Sequence, residues 1–355
     1  MKENYKAWEI EPIKNAALMN KKDFYAHLVG WAILAANSHN VQPWRFILKP
    51  KKNIIDVCVT KEGILPISDP TGRQAFISVG CALENLITAM QYYFGSNYGD
   101  IELTAGHFIY PEFAAKARLQ EKIASDYDGE RLLKLQAIKK RTNNRAVYQT
   151  HREICDLIKS TIKTAAKIRK VKLHLISDDF TKKILANIQS FGDSYVIANK
   201  DFRRELSYFL LPNDTENFKG MPGNTFGLND EMAKYVHEEL KKTELNKELA
   251  KNFAAGGKAV MNSAPVIGVI TIPKDEPREW IKAGRAFQRI ALIATMHGIS
   301  VAIHAAMVEV GILNWLLRMR LKTLERPAVV FRMGYCSEQT PHSPRMPAEH
   351  VTEVI

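Results

Sequence analysis

The sequence has few of the features that mark secreted, membrane-spanning or metal-binding proteins. Only 4 of its 355 residues are cysteines, and they stand far apart with no C-x-x-C pair and no metal-ligand spacing. It contains no apolar run of 18 residues, and the amino-terminal stretch MKENYKAWEIEPIKN has no apolar segment typical of a signal peptide. We therefore expect reduced thiols, no bound metal, no membrane partner and a cytoplasmic protein.

Acidic residues are also fewer than basic ones. The chain has 38 Asp and Glu against 50 Lys and Arg, a formal net charge of +12. A nucleic-acid partner would need a cationic stripe, but the Lys and Arg residues between about 116 and 183 alternate with acidic residues at helical intervals. No zinc-finger or aromatic RNA-binding motif accompanies them. We predict a solvated basic surface and no nucleic-acid partner, and a basic protein also suits a phosphorylated small ligand.

Two apolar segments far apart in the chain resemble each other. VGCALENLITAMQYYFG covers residues 79–95, and AGRAFQRIALIATMHG covers residues 283–298. Each begins with Gly-x-Ala, repeats apolar residues at helical spacing and ends at a glycine that can cap a helix. Since both carry apolar residues on most sides, both are predicted to be buried central helices.

The neighbours of these two segments follow one order: helix, strand, strand, central helix, strand. The predicted elements of the first half are 23–36, 44–48, 53–59 and 100–106, and those of the second half are 152–166, 171–177, 264–272 and 298–306. The repeated order predicts a duplicated α+β unit, with sheets packed against long helices. We divide the chain into a first repeat, 1–125, and a second repeat, 126–355.

Each half carries a polar segment that the other lacks. The first has NSHNVQPW at 37–44, whose amides suit a heteroaromatic edge, and the second has KKRTNNRAVY at 139–148, whose arginine forks suit a phosphate. Without a ligand, 37–44 would be an Asx-type turn before a proline, and 139–148 would be a polar cluster that only caps a helix. Two complementary halves predict one composite site between the repeats.

These segments resemble motifs of the FMN-dependent nitroreductase family. AANSHNVQPWRF is similar to its P-S-x-x-N-x-Q-P-W segment, RTNNR to its R-x-S-x-R/K segment, and TPHSPRMP (340–347) to its phosphate-binding tail. Four further stretches resemble a double-repeat, single-chain branch called Acg-like: DPTGRQAFISVGCALENL, GMPGNTFGL, EWIKAGRAFQR and RPAVVFRMGY. The resemblance, which runs from about residue 20 to the end, implies a nitroreductase-like α+β fold. Its two tandem repeats would form an intramolecular pseudo-dimer with central buried helices.

The resemblance also implies an activity. NAD(P)H would reduce FMN at N5 and leave, and a nitroaromatic or quinone would then be reduced in a ping-pong cycle. The alternative is a non-catalytic protein that stores or withholds FMN under a lid formed by the loop 212–230. Within that loop GMPGNTFG (220–227) lacks the dinucleotide-binding glycine spacing and is interpreted as a mobile cover or a plain connection. We expect either a monomer, which is itself the intramolecular pseudo-dimer, or a weak homodimer.

The resemblance carries over individual residues. Arg141 would bind the phosphate or the ribityl chain and Arg345 the phosphate. Arg145 would stand near flavin N1 and O2 and stabilise the negative charge of the reduced ring. Gln42 would fix the corner rather than touch the ring, and a register one residue earlier would use Lys140, Thr142 and Asn144 instead. The full set of predicted cofactor-binding residues is Asn37, Ser38, Asn40, Gln42, Arg141, Thr142, Asn143, Arg145, His304, Ala305 and Arg345.

The sequence departs from the family at several positions. Ala36 and Asn37 replace the usual Pro and Ser, and Ala305 stands where an acidic residue is common near N5. Contact to N5 would then come from backbone N–H groups at 304–306, and we assign no catalytic side chain. Because the arginine motif occurs only in the second half and N-x-Q-P-W only in the first, we expect one FMN per chain and no second site.

Overall fold

The fold combines eleven α-helices and eleven strands in the part of the chain that the computed structural model describes, residues 2–105, 112–123 and 128–355. The helices are α1 (Lys21–Ala32), α2 (Arg73–Phe94), α3 (Gly129–Lys140), α4 (Asp156–Ala165), α5 (Asp179–Ala198), α6 (Lys200–Ser207), α7 (Asp230–Lys241), α8 (Lys247–Asn262), α9 (Pro277–Met296), α10 (Ala306–Glu309) and α11 (Gly311–Leu321). The strands are β1 (Trp44–Lys49), β2 (Ile54–Val59), β3 (Gly99–Leu103), β4 (Glu112–Leu119), β5 (Lys172–Ile176), β6 (Leu210–Leu211), β7 (Met221–Pro222), β8 (Val266–Ile272), β9 (Ser300–Ile303), β10 (Arg326–Gly334) and β11 (Thr352–Val354). None of the described helices is both long and apolar enough to cross a membrane.

The strands form two main sheets. One has the order β11-β1-β2-β4-β3 and the other β5-β8-β10-β9, while β6 and β7 make a short separate pair. Pairing within the main sheets is antiparallel except between β1 and β11. Every residue of β2 and of β8 is buried, so these two strands lie within the core of their sheets.

The two central helices cross with their backbones in contact. A Cβ atom on Gly80 would lie 2.2 Å from the Ile281 carbonyl oxygen, and one on Gly284 would lie 1.9 Å from that of Ile77. In α2 only Gln91 keeps partial exposure, which confirms the predicted burial of this helix. The Gly-x-Ala pattern of both segments is thereby explained, because no side chain fits between the backbones.

Polar groups next to this crossing are paired across it. Glu84 of α2 is 1 % exposed and bonds Arg285 at 3.0 Å and Arg289 at 2.6 Å, both on α9. Burial alone would raise the pKa of Glu84, but the two guanidinium groups hold it below its ordinary value. Gln288 Nε2 also donates to Asn85 Oδ1 at 2.7 Å. These pairs fix the two helices in one register.

The predicted order of elements occurs twice in the structure. It runs α1, β1, β2, α2, β3 in the first half and α4, β5, β8, α9, β9 in the second. The second half inserts α5 to α8 between β5 and β8, a stretch in which only the loop 212–230 was predicted. The strand predicted over 298–306 ends at Ile303, because α10 begins at Ala306. Gly106 of the strand predicted over 100–106 lies outside the described residues.

The carboxyl-terminal segment crosses from one half to the other. β11 pairs in parallel with β1, with Thr352 opposite Phe46 and Val354 opposite Leu48. The first sheet therefore takes its edge strand from the far end of the chain. The predicted division into 1–125 and 126–355, whose boundary lies outside the described residues, does not separate the two sheets.

Replacing Gly284 by alanine tests the helix crossing. The added methyl group must force the two backbones apart, which we expect to cost about 1–3 kcal/mol and to lower the midpoint of thermal unfolding. Gly256→Ala is the matched control, since nothing lies within 4 Å of a Cβ at this position of α8. There alanine should raise the midpoint, because it gains about 0.5–1 kcal/mol in helix propensity. An unchanged midpoint for Gly284→Ala would contradict the close contact.

Candidate functional site

The corner that follows α1 has a strained backbone. His39, Asn40 and Gln42 have φ angles of 46°, 54° and 56°, in the left-handed region that non-glycine residues rarely adopt. Local hydrogen bonds help to hold it: Asn37 Oδ1 accepts from the Gln42 N–H at 2.9 Å, and the Ser38 N–H donates to Ser78 Oγ on α2 at 3.2 Å. The Ser38 hydroxyl itself has no partner among the described residues. A corner maintained against such strain is typical of a functional site.

The amide side chains of this corner bind the chain's own backbone. Asn40 Nδ2 donates to the carbonyls of Gly220 (2.8 Å) and Pro344 (2.9 Å), and its Oδ1 accepts from Arg345. Gln42 Nε2 donates to Phe218 O at 2.6 Å. The structure thus uses Gln42 to fix the corner. It uses Asn40 in the same way, whereas the resemblance implied that Asn40 faces the ligand.

Arg141 and Arg345 converge on the carboxyl-terminal end of α1. Arg345 Nε donates to Ile33 O at 2.9 Å and its Nη2 to Ala35 O at 3.1 Å, while Arg141 Nη2 donates to Leu34 O at 3.1 Å. Both therefore satisfy carbonyls that the helix leaves unpaired. Four of the five N–H groups of Arg345 donate to protein acceptors, because its Nη1 also donates to Pro344 O and Asn40 Oδ1. One N–H group of Arg141 does so.

This arginine pair is buried without a counter-ion. Arg141 is 5 % and Arg345 4 % exposed, and neither has a carboxylate partner in the described part of the chain. Burial lowers the pKa of Arg141 to about 10, and burial together with the charge of Arg141 lowers the pKa of Arg345 to about 9. Arg141 Nε is enclosed without any acceptor. Buried cations of this kind call for an anion, and Arg141 has the more donors to offer it.

His342 and Trp8 complete the surroundings of the arginine pair. Their rings stack at 3.8 Å between centroids, and Trp8 Nε1 donates to Ser343 O at 2.9 Å. Burial, then the charges of Arg141 and Arg345, lower the pKa of His342 to about 4, so this ring adds no charge at neutral pH. Neither residue was predicted as part of the site, since a lone Trp near the amino terminus carries no signal of a contact 335 positions away.

A second cationic group lies around Arg145. Its Nη1 donates to Thr225 O at 3.3 Å, and its guanidinium lies 4.1 Å above the centre of the Phe226 ring. Burial and the neighbouring charge of Arg332 lower the pKa of Arg145 to about 10. Arg332 in β10 is fully buried and donates to His304 Nε2 at 3.2 Å. Arg332 was not among the predicted site residues, although a cation within the apolar run AVVFRM is an unusual feature for a buried strand.

The arrangement of 140–145 distinguishes the two possible registers. Lys140 is exposed, and the Asn144 amide already donates to Ser300 Oγ and Glu338 O. Neither residue therefore offers an unpaired donor to a ligand inside the protein. Arg141 and Arg145 do lie inside. Between them Asn143 Oδ1 accepts from the Ile303 N–H at 2.9 Å, and the partly buried Thr142 has no hydrogen-bond partner among the described residues. The geometry favours the register of Arg141 and Arg145.

The segment 304–306 differs from expectation at one position. The His304 N–H donates to Val330 O at 2.8 Å, so it is not free to approach a ligand, contrary to what the resemblance implied. The Ala305 N–H, in contrast, has no acceptor within the described residues, and Ala305 stands directly before α10. Of the predicted backbone donors at 304–306, His304 is therefore the one whose N–H is already bonded within the protein.

The loop 212–230 lies between the corner and Arg145. Besides the bonds to Asn40, Gln42 and Arg145, its Asn217 carbonyl accepts from Asn4 Nδ2 at 3.0 Å. Gly220, at φ 93°, has no room for a side chain, since a Cβ would lie 3.0 Å from Phe209 O. The loop that was interpreted as a mobile cover is thus tied down at several points, and it includes β7 and a 3-10 helix over Gly223–Phe226.

Comparisons with known proteins bear on this site. No family model matches the chain. A Mycobacterium tuberculosis protein named "Putative NAD(P)H nitroreductase acg" is 22% identical over 335 residues, which cover 94% of this chain and 95% of that protein. A second, uncharacterized protein of the same organism is 21% identical over 340 residues and covered to 91%. The resemblance to Acg-like proteins is confirmed over nearly the whole chain.

Solved structures of nitroreductases are also similar to this chain. The FMN-dependent nitroreductase NfnB of Mycobacterium smegmatis, in complex with NADPH, is 15% identical with a TM-score of 0.43 and covers 62% of this chain and 97% of its own. A nitroreductase with bound FMN from Desulfitobacterium hafniense is 16% identical with a TM-score of 0.37 and covers 60% of this chain and 94% of its own.

Asn40→Ala should loosen the loop 212–230. The variant leaves the Gly220 carbonyl without a donor and removes one of the two donors of the Pro344 carbonyl. Losing about 1–1.5 kcal/mol of hydrogen bonding raises local opening about tenfold. We expect trypsin to cleave after Lys219 about tenfold faster than in the natural protein, as followed by mass spectrometry. Asn97→Ala, at an exposed position without a side-chain bond, is the control. An equal cleavage rate in both variants would show that Asn40 does not hold the loop.

Proposed function

We propose, on the premise of its similarity to the acg protein, that this chain is an FMN-dependent NAD(P)H oxidoreductase of the nitroreductase type. The observation that carries the proposal is two cationic groups: the buried Arg141 and Arg345, and the partly buried Arg145 beside the buried Arg332. Neither group has a carboxylate partner among the described residues. FMN carries a phosphate at one end and a ring that gains negative charge on reduction at the other, so it matches both.

The donor set at the first group fits a phosphate. Arg141 keeps four N–H groups without protein acceptors and Arg345 keeps one. The hydroxyl groups of Ser38 and Thr142, which have no partner in the described structure, are further candidates to donate. Guanidinium forks and hydroxyls are the groups that bind phosphate in proteins. We assign Arg141 the main role and Arg345 a shared one, because most donors of Arg345 cap α1.

The chemistry belongs to the cofactor, and the chain orients and tunes it. Bound FMN would accept hydride from NAD(P)H and pass it to a small acceptor such as a nitroaromatic or a quinone. Arg145 supplies a preorganised positive charge in a partly buried place, where electrostatic stabilisation is stronger than in water. Burial, then the charges of Arg332 and Arg145, lower the pKa of His304 to about 3. His304 is therefore neutral at pH 7 and cannot serve as an acid, which leaves water to deliver protons.

We infer that the two halves are tandem repeats that form a pseudo-dimer. The element order that occurs twice and the reciprocal contact of Gly80 and Gly284 support this. Because the strained corner belongs to the first half and the arginine motif to the second, we expect one FMN per chain. The domain division at 125 remains a prediction, with the tail 340–355 reaching back to the first half.

The attachment of the loop 212–230 supports a second candidate function, that of a protein that binds FMN without turnover. Several side chains from outside the loop bond it, among them Lys2, Asn4, Asn40, Gln42 and Arg145. A loop held this firmly would keep a nicotinamide away from a ring beneath it. The two functions differ in access and not in the cofactor.

Anaerobic reduction of the bound flavin distinguishes the enzyme from a protein that binds FMN without turnover. For the enzyme we expect NADH or NADPH to bleach the bound flavin within seconds and a quinone to restore its colour. Dithionite is the control, since it reduces flavin whether or not a nicotinamide can enter. If only dithionite bleaches the natural protein but a variant shortened within 215–219 reacts with NAD(P)H, the loop seals the site. No reaction of either form with NAD(P)H would contradict the enzyme.

Arg141→Ala should weaken FMN far more than riboflavin. Only FMN has the phosphate, and charge-assisted hydrogen bonds contribute about 1.5–3 kcal/mol each, so we expect a loss of about tenfold to a hundredfold for FMN. Titration followed by flavin fluorescence gives both affinities and the expected stoichiometry of one. Lys140→Ala is the matched control, because this exposed cation belongs to the rejected register. Equal losses for both ligands, or a larger effect of Lys140→Ala, would refute the phosphate site.

A further inference from the structure

Arg332 is a buried cation for which the proposed function has so far given no reason. It lies within β10, between Ile267 of β8 and Ala302 of β9, and none of its surface is exposed. No carboxylate of the described chain pairs with it, and its Nη1 is enclosed without an acceptor. An unpaired buried charge is costly, so its place in the sheet needs an explanation.

The hydrogen bonds of Arg332 enclose Arg145. Its Nη2 donates to the carbonyls of Asn144 at 3.3 Å and Ala146 at 2.9 Å, which flank Arg145 on both sides. The Tyr148 hydroxyl donates to the same Asn144 carbonyl at 2.8 Å, and the Tyr148 ring lies 3.9 Å below the guanidinium. Arg332 thereby fixes the backbone from which the Arg145 side chain extends.

Arg332 also determines which ring nitrogen of His304 carries the proton. Its Nε donates to His304 Nε2 at 3.2 Å, and a guanidinium can only donate. Since the ring is neutral, its one proton must be on Nδ1. No described residue accepts from Nδ1. The neutral ring of His304 is therefore held with a free Nδ1–H donor. His304 belongs to the segment 304–306, which the resemblance places near the reactive part of the flavin.

We propose that Arg332 is the positioning residue of the FMN site: it holds Arg145 and the Nδ1–H form of His304 in one arrangement and adds its own positive charge toward the reduced ring. This role rests on the proposed function. A residue with only a structural role would affect oxidised and reduced FMN equally. Arg332 should favour the reduced form, because that form carries more negative charge.

Redox titration of the holoprotein tests the role of the charge. In Arg332→Gln we expect binding of reduced FMN to weaken about tenfold more than binding of oxidised FMN, which lowers the midpoint potential by about 30 mV for a two-electron couple. Arg332→Lys keeps the charge and should recover most of the potential. Arg326→Gln is the matched control, since Arg326 lies at the other end of β10 beside Asp275. FMN binding with an unchanged potential in Arg332→Gln would overturn the proposal.

The imidazole spectrum of the unmutated protein gives a second, independent test. Long-range proton–nitrogen NMR distinguishes the two neutral forms of histidine, and His304→Gln identifies the signal. We expect the Nδ1–H form, and finding the Nε2–H form would overturn the proposal even if Arg332→Gln does not fold. A natural protein that binds no FMN would instead overturn the proposed function, and the role of Arg332 with it.

Discussion

The contact of α2 with α9 at Gly80 and Gly284 is the constraint on which the candidate site depends. Since no side chain separates the backbones there, Asn85 and Gln288 come within bonding distance beside the crossing. Asn85 Nδ2 donates to Trp31 O at 3.2 Å, and Gln288 Oε1 accepts from the Ala36 N–H at 3.4 Å. Both bonds hold the end of α1, from which the strained corner continues. A close helix contact in the core thereby positions the polar groups at its edge.

Buried charge is treated in two ways in this protein. In the core Glu84 is balanced by Arg285 and Arg289, so the charges are stabilised by their partners. Around the candidate site the buried arginines have no carboxylate partners among the described residues, and carbonyl groups satisfy only part of their donors. The folded chain bears this electrostatic cost, and an anionic ligand that binds only the folded state would offset it and stabilise the fold.

Much of the fold was predictable because local patterns report burial. The apolar spacing of 79–95 and 283–298 has a helical period, and apolar residues on most sides of each helix predict its burial, as the structure shows. The polar segments 37–44 and 139–148 were recognisable for the opposite reason, since dense amides and cations beside apolar helices need partners. The register of Arg141 and Arg145 stayed open in the sequence, because neighbouring polar residues differ only in which face becomes buried.

The amino-acid sequence by itself determined which segments are buried and which carry polar groups. Only the tertiary structure decided which atoms those groups meet. Asn40 bonds Gly220 and Pro344, which lie 180 and 304 positions away, and Arg332 reaches the backbone around Arg145 across 186 or more. Periodicity describes the faces of one element, whereas such contacts depend on how distant elements pack, and a local pattern holds no information about that distance.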